Sequence, residues 1–224
     1  MFKGHRYATV VLDADSRQVL WAGEGRSLDA IRPFFTWIGV DCCRGIEVVA
    51  MDMNTAFDLE VKQHCPNARV VYHLFHVIVK YGREVIDRVR VDEANRRRDQ
   101  SRLRQVVKRS RWLLLRNREN VPAAQLPGLD ELLEADASLM TAYVMKASLK
   151  ELWQARGGWT WRTAWRNWLA MARGSGIEPL SRFANRLAPY WRGILARVRW
   201  PMHTDQLEGI NNRIKVMKRM AYGY

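Results

Sequence analysis

Hydrophobic positions in the first third of the chain follow the pattern of short strands alternating with helices. Residues 7–12 and 18–22 are runs of β-branched and aromatic residues on either side of a turn-rich tetrapeptide, which predicts a β-hairpin. Residues 46–51 and 69–72 are compact apolar runs that predict two more strands. The order strand, strand, helix, strand, helix, strand predicts an α/β layer architecture.

Start and stop signals place two helices between these strands. Ser27 is positioned to cap the first helix, and Pro33 is expected to kink that helix or to divide it into two short pieces. Either Asn54 or Thr55 caps the second helix. That helix must end near Cys65, because a proline follows directly.

Beyond residue 73 the pattern is helical throughout. Apolar residues keep helical spacing from Leu74 to Val89, and prolines and glycines separate the later helical runs. Trp161, Trp165 and Trp168 form one helical stripe, a spacing typical of a hydrophobic core rather than of a platform for nucleobases. We therefore divide the chain into an α/β core over residues 1–77, an all-helical insertion over residues 78–200 and a closing helix of the core over residues 201–224.

The closing helix has two different faces. Leu207, Ile210 and Ile214 recur at the spacing of a buried face. The opposite face carries one carboxylate beside amides and cations: Glu208, Asn211, Asn212, Lys215 and Arg219. A carboxylate beside amides and cations is suited to binding a metal ion next to a phosphate backbone. The alternative is a capping box, in which Asp205 caps the helix and Glu208 bonds back to it.

The composition indicates a folded protein with a substantial core. The chain has 224 residues, of which 48% are apolar, and it contains ten tryptophans. Its three cysteines show no CxxC spacing, which predicts neither a zinc site nor structural disulfides and favours a reducing, intracellular setting. The sequence shows no secretory leader and no apolar run of about 18 residues, so we expect a soluble protein.

Positive charge is concentrated in the middle of the chain. Residues 78–200 carry +13 of the formal net charge of +14, whereas residues 1–77 carry −1. This asymmetry indicates that the helical insertion faces a polyanion, of which nucleic acid is the commonest. The alternative is a set of solvated basic faces without a partner.

Six short blocks, taken in order, resemble those of insertion-sequence transposases of the ISL3 type. They are residues 3–9, 25–27, 50–57, 66–68, 74–77 and 207–212, and they span nearly the whole chain. The resemblance implies a ribonuclease-H-like α/β fold with a mixed sheet, and a large all-helical insertion before the final catalytic helix. It also implies an Asp-Asp-Glu site that binds Mg²⁺ or Mn²⁺, with two ions in an intact family member.

The same resemblance assigns roles to particular residues. Asp52 matches the second catalytic aspartate and Glu208 the catalytic glutamate, so both are expected to ligate metal. Supporting residues near the site are His73, His76, Asn211, Asn212 and Lys215. DNA contacts are expected from Arg96, Arg97, Arg98, Lys215 and Arg219. The implied partners are transposon-end and target DNA, with self-association on DNA, no membrane, and a cytoplasmic, nucleoid-associated location in a bacterium.

The sequence departs from the family pattern in two places. The family's first catalytic aspartate lies in a strand that precedes the block at residues 3–9, and we expect this chain to lack it, because Met1 lies only two residues before Lys3. His73 stands where the family has an aspartate, which replaces an anionic acceptor with an imidazole. We therefore expect a truncated transposase with impaired cleavage. The alternatives are a non-catalytic DNA-binding remnant that interferes with an intact transposase and, more distantly, a ribonuclease-H-like nuclease such as a junction resolvase.

Overall fold

A computed structural model describes residues 7–152 and 157–200 of the chain. The chain divides into two compact units. The first unit runs to His73 and resumes at Arg199, and the second unit is Leu74–Val198. The sequence analysis placed the limits of the insertion at residues 78 and 200. The second unit starts earlier because its first helix begins directly after the last strand, at Leu74.

The first unit contains two pairs of strands. Strands β1 (Ala8–Leu12) and β2 (Val19–Glu24) form an antiparallel hairpin, with a register shift between Val11 and Leu12. Strands β3 (Val48–Met51) and β4 (Arg69–Tyr72) are parallel, and Met51 is the partner of Tyr72 at the end of the ladder. The predicted order of strands and helices is found, with one short additional helix before β3.

The two strand pairs are separate sheets among the described residues. The sequence analysis expected a single mixed sheet. The hairpin is antiparallel and the second pair is parallel, so both kinds of pairing are present. Strand β1 pairs only with β2 in the part of the chain that the structure describes, which leaves its second edge without a described neighbour.

Three helices accompany these strands: α1 (Leu28–Ile38), α2 (Val40–Gly45) and α3 (Thr55–His64). Ser27 is the N-cap residue of α1, as predicted, although its side chain makes no capping hydrogen bond. Asn54 caps α3 by accepting a hydrogen bond from the Ala56 backbone N–H, and Cys65 is the C-cap. Of the two effects expected of Pro33, a kink or a division of the first helix, the division is wrong, because α1 continues through the proline.

The core of the first unit explains why the helix tolerates the proline. Ile31, Phe34 and Phe35 of α1 are buried against Cys43 of α2 and against α3. Burial of one large apolar side chain contributes about 1.5–3 kcal/mol. Several such side chains together offset the roughly 3 kcal/mol that an interior proline costs a helix.

The second unit is helical throughout its described residues. Its elements are α4 (Leu74–Tyr81), a π-helical stretch (Gly82–Ile86), α5 (Asp87–Arg96), α6 (Ser101–Arg109), α7 (Arg111–Leu115), α8 (Leu126–Glu134), α9 (Ala137–Glu151), α10 (Gly158–Gly174), α11 (Glu178–Leu187) and α12 (Trp191–Ala196). Short 3₁₀ turns lie at Arg118–Asn120, Ala123–Gln125 and Ala188–Tyr190. No helix among the described residues is long and apolar enough to span a bilayer.

Aromatic side chains fill the centre of the second unit. Trp161, Trp165 and Trp168 are buried and stack in sequence, with ring centroids 5.1 Å and 6.3 Å apart. The Trp168 indole N–H donates to the carbonyl of Met145 at 3.0 Å. Tyr81 packs edge-on against Phe183 in the same region. The prediction that this tryptophan stripe belongs to the core is confirmed.

One cation is buried in this helical core. Lys146 is 2% exposed, and its Nζ donates to the carbonyls of Leu114 and Arg116 at 2.6 Å and 2.8 Å. These carbonyls lie at the end of α7, where a helix leaves acceptors without partners, so the ammonium caps the helix. Burial, followed by the charge of Lys150, lowers the pKa of Lys146 to about 8.

The three cysteines are free thiols in different surroundings. Cys42 is exposed, whereas Cys43 and Cys65 are buried in the core of the first unit. Burial, followed by the proximity of Cys43, raises the pKa of Cys65 to about 12. The expectation that the cysteines form no structural disulfide agrees with these free thiols.

Candidate functional site

The carboxyl edge of the parallel strand pair brings two predicted site residues together. Met51 and Tyr72 are partners at the end of the ladder, and Asp52 and His73 are the next residues along their strands. Neighbouring strands lie about 4.8 Å apart, so the two backbones leave the sheet side by side. Asp52 is exposed and His73 is half-buried. The carboxyl ends of parallel strands are where open α/β sheets place their ligands.

A tight turn presents Asp52 between strand β3 and helix α3. The carbonyl of Asp52 accepts a hydrogen bond from the Asn54 backbone N–H at 2.7 Å. The Asn54 side chain caps α3, and its amide donates to the carbonyl of Arg26 at 3.4 Å, which ties the turn to the loop after β2. Met53, the middle residue of this turn, is buried. The carboxylate of Asp52 therefore lies on a backbone that is held on both sides.

Helix α3 is fixed to strand β4 by a second carboxylate. The Tyr72 hydroxyl donates to Oδ1 of Asp58 at 2.6 Å, and Lys62 pairs with the other carboxylate oxygen. Asp58 is buried, and both of its oxygens are occupied. It holds the helix in register with strand β4, which His73 directly follows. The sequence analysis missed this contact, because the spacing of residues 58 and 72 follows no local pattern.

A third carboxylate fixes α3 to α1. Glu60 is 2% exposed, and the Arg32 guanidinium donates to both of its oxygens at 2.7 Å and 3.3 Å. His64 lies on the same side, with Nε2 3.2 Å from Glu60 Oε2 and its ring stacked on Phe35 at 4.8 Å. The hydrogen bonds from Arg32 hold the pKa of Glu60 below its ordinary value. Both of its oxygens serve the structure, so this carboxylate is not a candidate ligand.

The remaining predicted residues of the metal site fall in other places. His76 is half-buried in the first turns of α4, with its ring edge-on to Phe75. Glu208, Asn211, Asn212, Lys215 and Arg219 lie outside the described residues. Across residues 7–152 and 157–200, no three His, Cys, Asp or Glu side chains come together as a metal site.

The predicted DNA-binding arginines have three different environments. Arg97 pairs through Nη1 with Glu93 at 2.8 Å and through Nη2 with Asp136 at 2.8 Å. Arg96 is largely exposed and pairs with the other oxygen of Glu93 at 2.5 Å. Arg98 is exposed in the turn after α5. Arg97 is therefore committed to two buried carboxylates, and the guanidinium groups of Arg96 and Arg98 face solvent.

Comparison with known proteins decides the family. A model of DDE transposases, DDE_Tnp_ISL3, described as "Transposase", matches residues 1–224. The chain belongs to the ISL3 family of transposases. The resemblance stated from the sequence blocks is thereby confirmed.

Two curated relatives of this transposase chain illustrate the range of similarity. The transposase for insertion sequence element IS1001 of Bordetella parapertussis is 54% identical over 225 residues, which cover 100% of this chain and 55% of the relative. The transposase for IS1557 of Mycobacterium tuberculosis is 25% identical over 241 residues, which cover 98% of this chain and 54% of the relative. The chain thus spans about half the length of the relatives that it matches. No solved structure matches it.

The environment of Asp52 in this transposase suits one ligand of a hard cation. Its carboxylate is exposed at the end of a strand, and oxygen is the donor that Mg²⁺ prefers. The neighbouring His73 offers nitrogen, which Mn²⁺ accepts more readily than Mg²⁺. The described residues therefore fit one part of a divalent site.

Proposed function

We propose that this chain is the catalytic domain of a transposase that carries out metal-dependent DNA cleavage and strand transfer in DNA transposition. Membership of the ISL3 family supports a role in transposition. The observation that carries the chemical part is the position of Asp52, an exposed carboxylate at the carboxyl end of a parallel strand. The substrates are transposon-end and target DNA in the bacterial cytoplasm, where copies of the chain associate on the nucleoid DNA.

The proposed fold is ribonuclease-H-like. The antiparallel hairpin, followed by a parallel pair with a helix between its strands, supports this proposal. Among the described residues the two pairs are separate sheets, so the proposal rests on the order and the pairing of the strands.

Asp52 and Glu208 are the proposed ligands of Mg²⁺ or Mn²⁺. A bound divalent ion lowers the pKa of the attacking hydroxyl and stabilises the leaving oxygen during in-line displacement at phosphorus. The turn at Asn54 and the buried Asp58 hold Asp52 in place. His73 supplies an imidazole beside Asp52 where the family has a carboxylate, which reduces the negative charge available to a cation. His76, Asn211, Asn212 and Lys215 are proposed as supporting residues.

Cation binding and nicking of supercoiled plasmid DNA test this proposal. We expect Asp52→Asn and Glu208→Gln each to weaken Mn²⁺ binding, and Asp41→Asn, which removes another exposed carboxylate of the first unit, to leave it unchanged. Mn²⁺ binding that is insensitive to both site variants would show that the metal site is wrongly assigned.

The nicking assay distinguishes a catalytic domain from a non-catalytic DNA-binding remnant. Mg²⁺- or Mn²⁺-dependent nicking that is lost in Asp52→Asn supports catalysis. Duplex binding without any nicking supports the non-catalytic alternative, in which the chain occupies DNA that an intact transposase needs. His73→Asp adds a carboxylate beside Asp52, so we expect it to strengthen Mn²⁺ binding in either case.

A further inference from the structure

Ion pairs within the second unit neutralise part of its positive charge. The densest basic run of the sequence, residues 96–118, contributes several arginines that are already paired within the unit. Arg97 pairs with Glu93 and Asp136, Arg111 pairs with Asp87, and Arg118 pairs with Asp130; these arginines are neutralised where they stand. The number of basic residues in this run therefore overstates the positive charge that the run presents to a partner.

Residues 158–200, in contrast, contain many more cations than carboxylates. They contain eight arginines and a single carboxylate, Glu178, which pairs with Arg182. Arg162, Arg166 and Arg192 are exposed, and no carboxylate of the described residues lies within ion-pair distance of any of them. Uncompensated cations on an ordered surface raise the local potential and attract anions.

Two of these arginines converge on one aromatic ring from different helices. The guanidinium carbon of Arg162, on α10, lies 5.9 Å from the ring centroid of Trp191, and that of Arg192, on α12, lies 5.6 Å from it. Cation–π contact with the indole holds both groups without neutralising them. Both guanidinium groups therefore keep their positive charge within 6 Å of the same ring centroid.

The arginines of α10 extend this cluster into a stripe. Arg166 lies one turn after Arg162, and Arg173 follows at the same face two turns later. At a rise of about 1.5 Å per residue the stripe is roughly 16 Å long, which matches the axial length of about five base pairs at about 3.4 Å each. Arg173 is exposed and its Nε donates to the neutral side chain of Asn185, so its charge also remains.

The cations of α6 do not form a comparable stripe. Arg102 and Arg109 fall on one side of that helix, and Arg104 and Lys108 fall on the opposite side. A single strand of DNA backbone cannot contact both sides at once. The linear, uncompensated set on α10 and α12 is thus the surface whose geometry fits an extended polyanion.

We infer that the α10–α12 face, defined by Arg162, Arg166, Arg173 and Arg192, binds the phosphate backbone of duplex DNA. The inference rests on the proposed function in DNA transposition. It assigns DNA binding to a surface that the sequence motifs did not indicate. Contacts to phosphates from arginine side chains are independent of base sequence. This face therefore positions the duplex without selecting its sequence.

Salt-dependent binding of the chain to a fluorescent random-sequence duplex tests this inference. The variant R162Q/R166Q/R192Q removes three cations, and its control R88Q/R118Q/R182Q removes three exposed arginines that are paired with carboxylates. The two variants have the same net charge. We expect the slope of log K against log salt to fall by up to about 2.7 in the first variant, at about 0.9 per phosphate contact, and to change much less in the control.

The charge-conserving variant R162K/R166K/R192K controls for a purely structural effect of the substitutions. We expect it to retain most of the salt slope, because lysine also binds phosphate as a point charge. If the unchanged chain binds duplex DNA but both glutamine variants keep its slope, or lower it equally, the inference is wrong while the proposed function stands. If the unchanged chain does not bind duplex DNA, the proposed function fails as well. Binding to phosphatidylserine vesicles through these arginines, in preference to duplex DNA, would show that the partner is wrongly assigned.

Discussion

Nη2 of Arg97 lies 2.8 Å from Oδ2 of Asp136, and this ion pair joins the end of helix α5 to the start of helix α9. Asp136 is 4% exposed, and its other oxygen caps α9 by accepting a hydrogen bond from the Leu139 backbone N–H at 3.0 Å. Arg97 also pairs with the buried Glu93. One guanidinium thus compensates two carboxylates that are withdrawn from water, which gives it a structural role regardless of any contact with DNA.

The first expectation concerns Arg97. Arg97→Gln leaves the buried Asp136 without its ion-pair partner and leaves Glu93 with Arg96 alone, and the loss of one partner of a buried pair costs roughly 3 kcal/mol. We expect the free energy of unfolding, measured by urea titration, to fall by about that amount. The matched control Arg98→Gln changes an exposed neighbour and is expected to stay within about 0.5 kcal/mol. Equal effects of the two substitutions would contradict the structural role of Arg97.

The second expectation concerns Lys146 and pH. The folded chain releases the Lys146 proton near pH 8, whereas the unfolded chain releases it near the ordinary pKa of 10.5. Between these values the unfolded chain binds more protons, so the free energy of unfolding gains up to about 1.4 kcal/mol per pH unit from this group. Lys146→Met removes that contribution, which urea titrations of both proteins between pH 8 and 9.5 detect as a difference in slope.

Lys108→Met provides the control for this experiment, because Lys108 is exposed on α6. It is expected to keep the slope of the unchanged chain over the same pH range. A Lys146→Met protein with an unaltered slope would show that the buried amine does not titrate in this interval.

The third expectation concerns Glu60 in acid. Its folded pKa lies below its ordinary value, chiefly because Arg32 donates to the carboxylate. The resulting stabilisation is fully present above the ordinary pKa of 4.5 and is lost as the pH falls through the folded pKa. Arg32→Leu removes the partner, so we expect lower stability at neutral pH and a weaker dependence on pH below about 4.5. Arg44→Leu removes an exposed arginine of the first unit and is expected to change neither property measurably.

The fourth expectation concerns the tryptophan stack. Trp168 is 1% exposed, and Trp168→Ala creates a cavity and leaves the Met145 carbonyl without the indole donor. We expect a loss of about 4 kcal/mol in the free energy of unfolding. Trp159→Ala, at a position 68% exposed on the same helix, is expected to cost less than about 1 kcal/mol. Comparable losses would mean that the stack is not the centre of the helical core.

Local signals predicted the elements of the first unit closely. Strand β4 is found at Arg69–Tyr72, as the apolar run indicated, and Asn54 caps α3. Helix α2 was not predicted, because Val40–Gly45 is too short to show a helical period. Pro33 does not divide α1, because intrinsic propensity is a weak guide where a large apolar face is buried.

The candidate site was predictable only in part. The end of an apolar strand marks Asp52, and the family blocks assign it a role. The contacts of Asp58 with Tyr72 and of Arg97 with Asp136 join residues 14 and 39 positions apart, and no periodicity connects them. The neutralisation of a basic run likewise depends on these long-range pairs, so the charge of a sequence segment does not locate a binding face.

The burial of two of the three thiols gives the protein a natural labelling site. Only the thiolate attacks a maleimide, and the Cys65 thiol, with a pKa of about 12, remains protonated and enclosed at neutral pH. Cys43 is enclosed in the same core, whereas Cys42 is exposed beside it. A maleimide dye should therefore attach to Cys42 alone in the folded chain. The other two thiols should react only after denaturation. The number of dyes per molecule should therefore rise with the unfolded fraction.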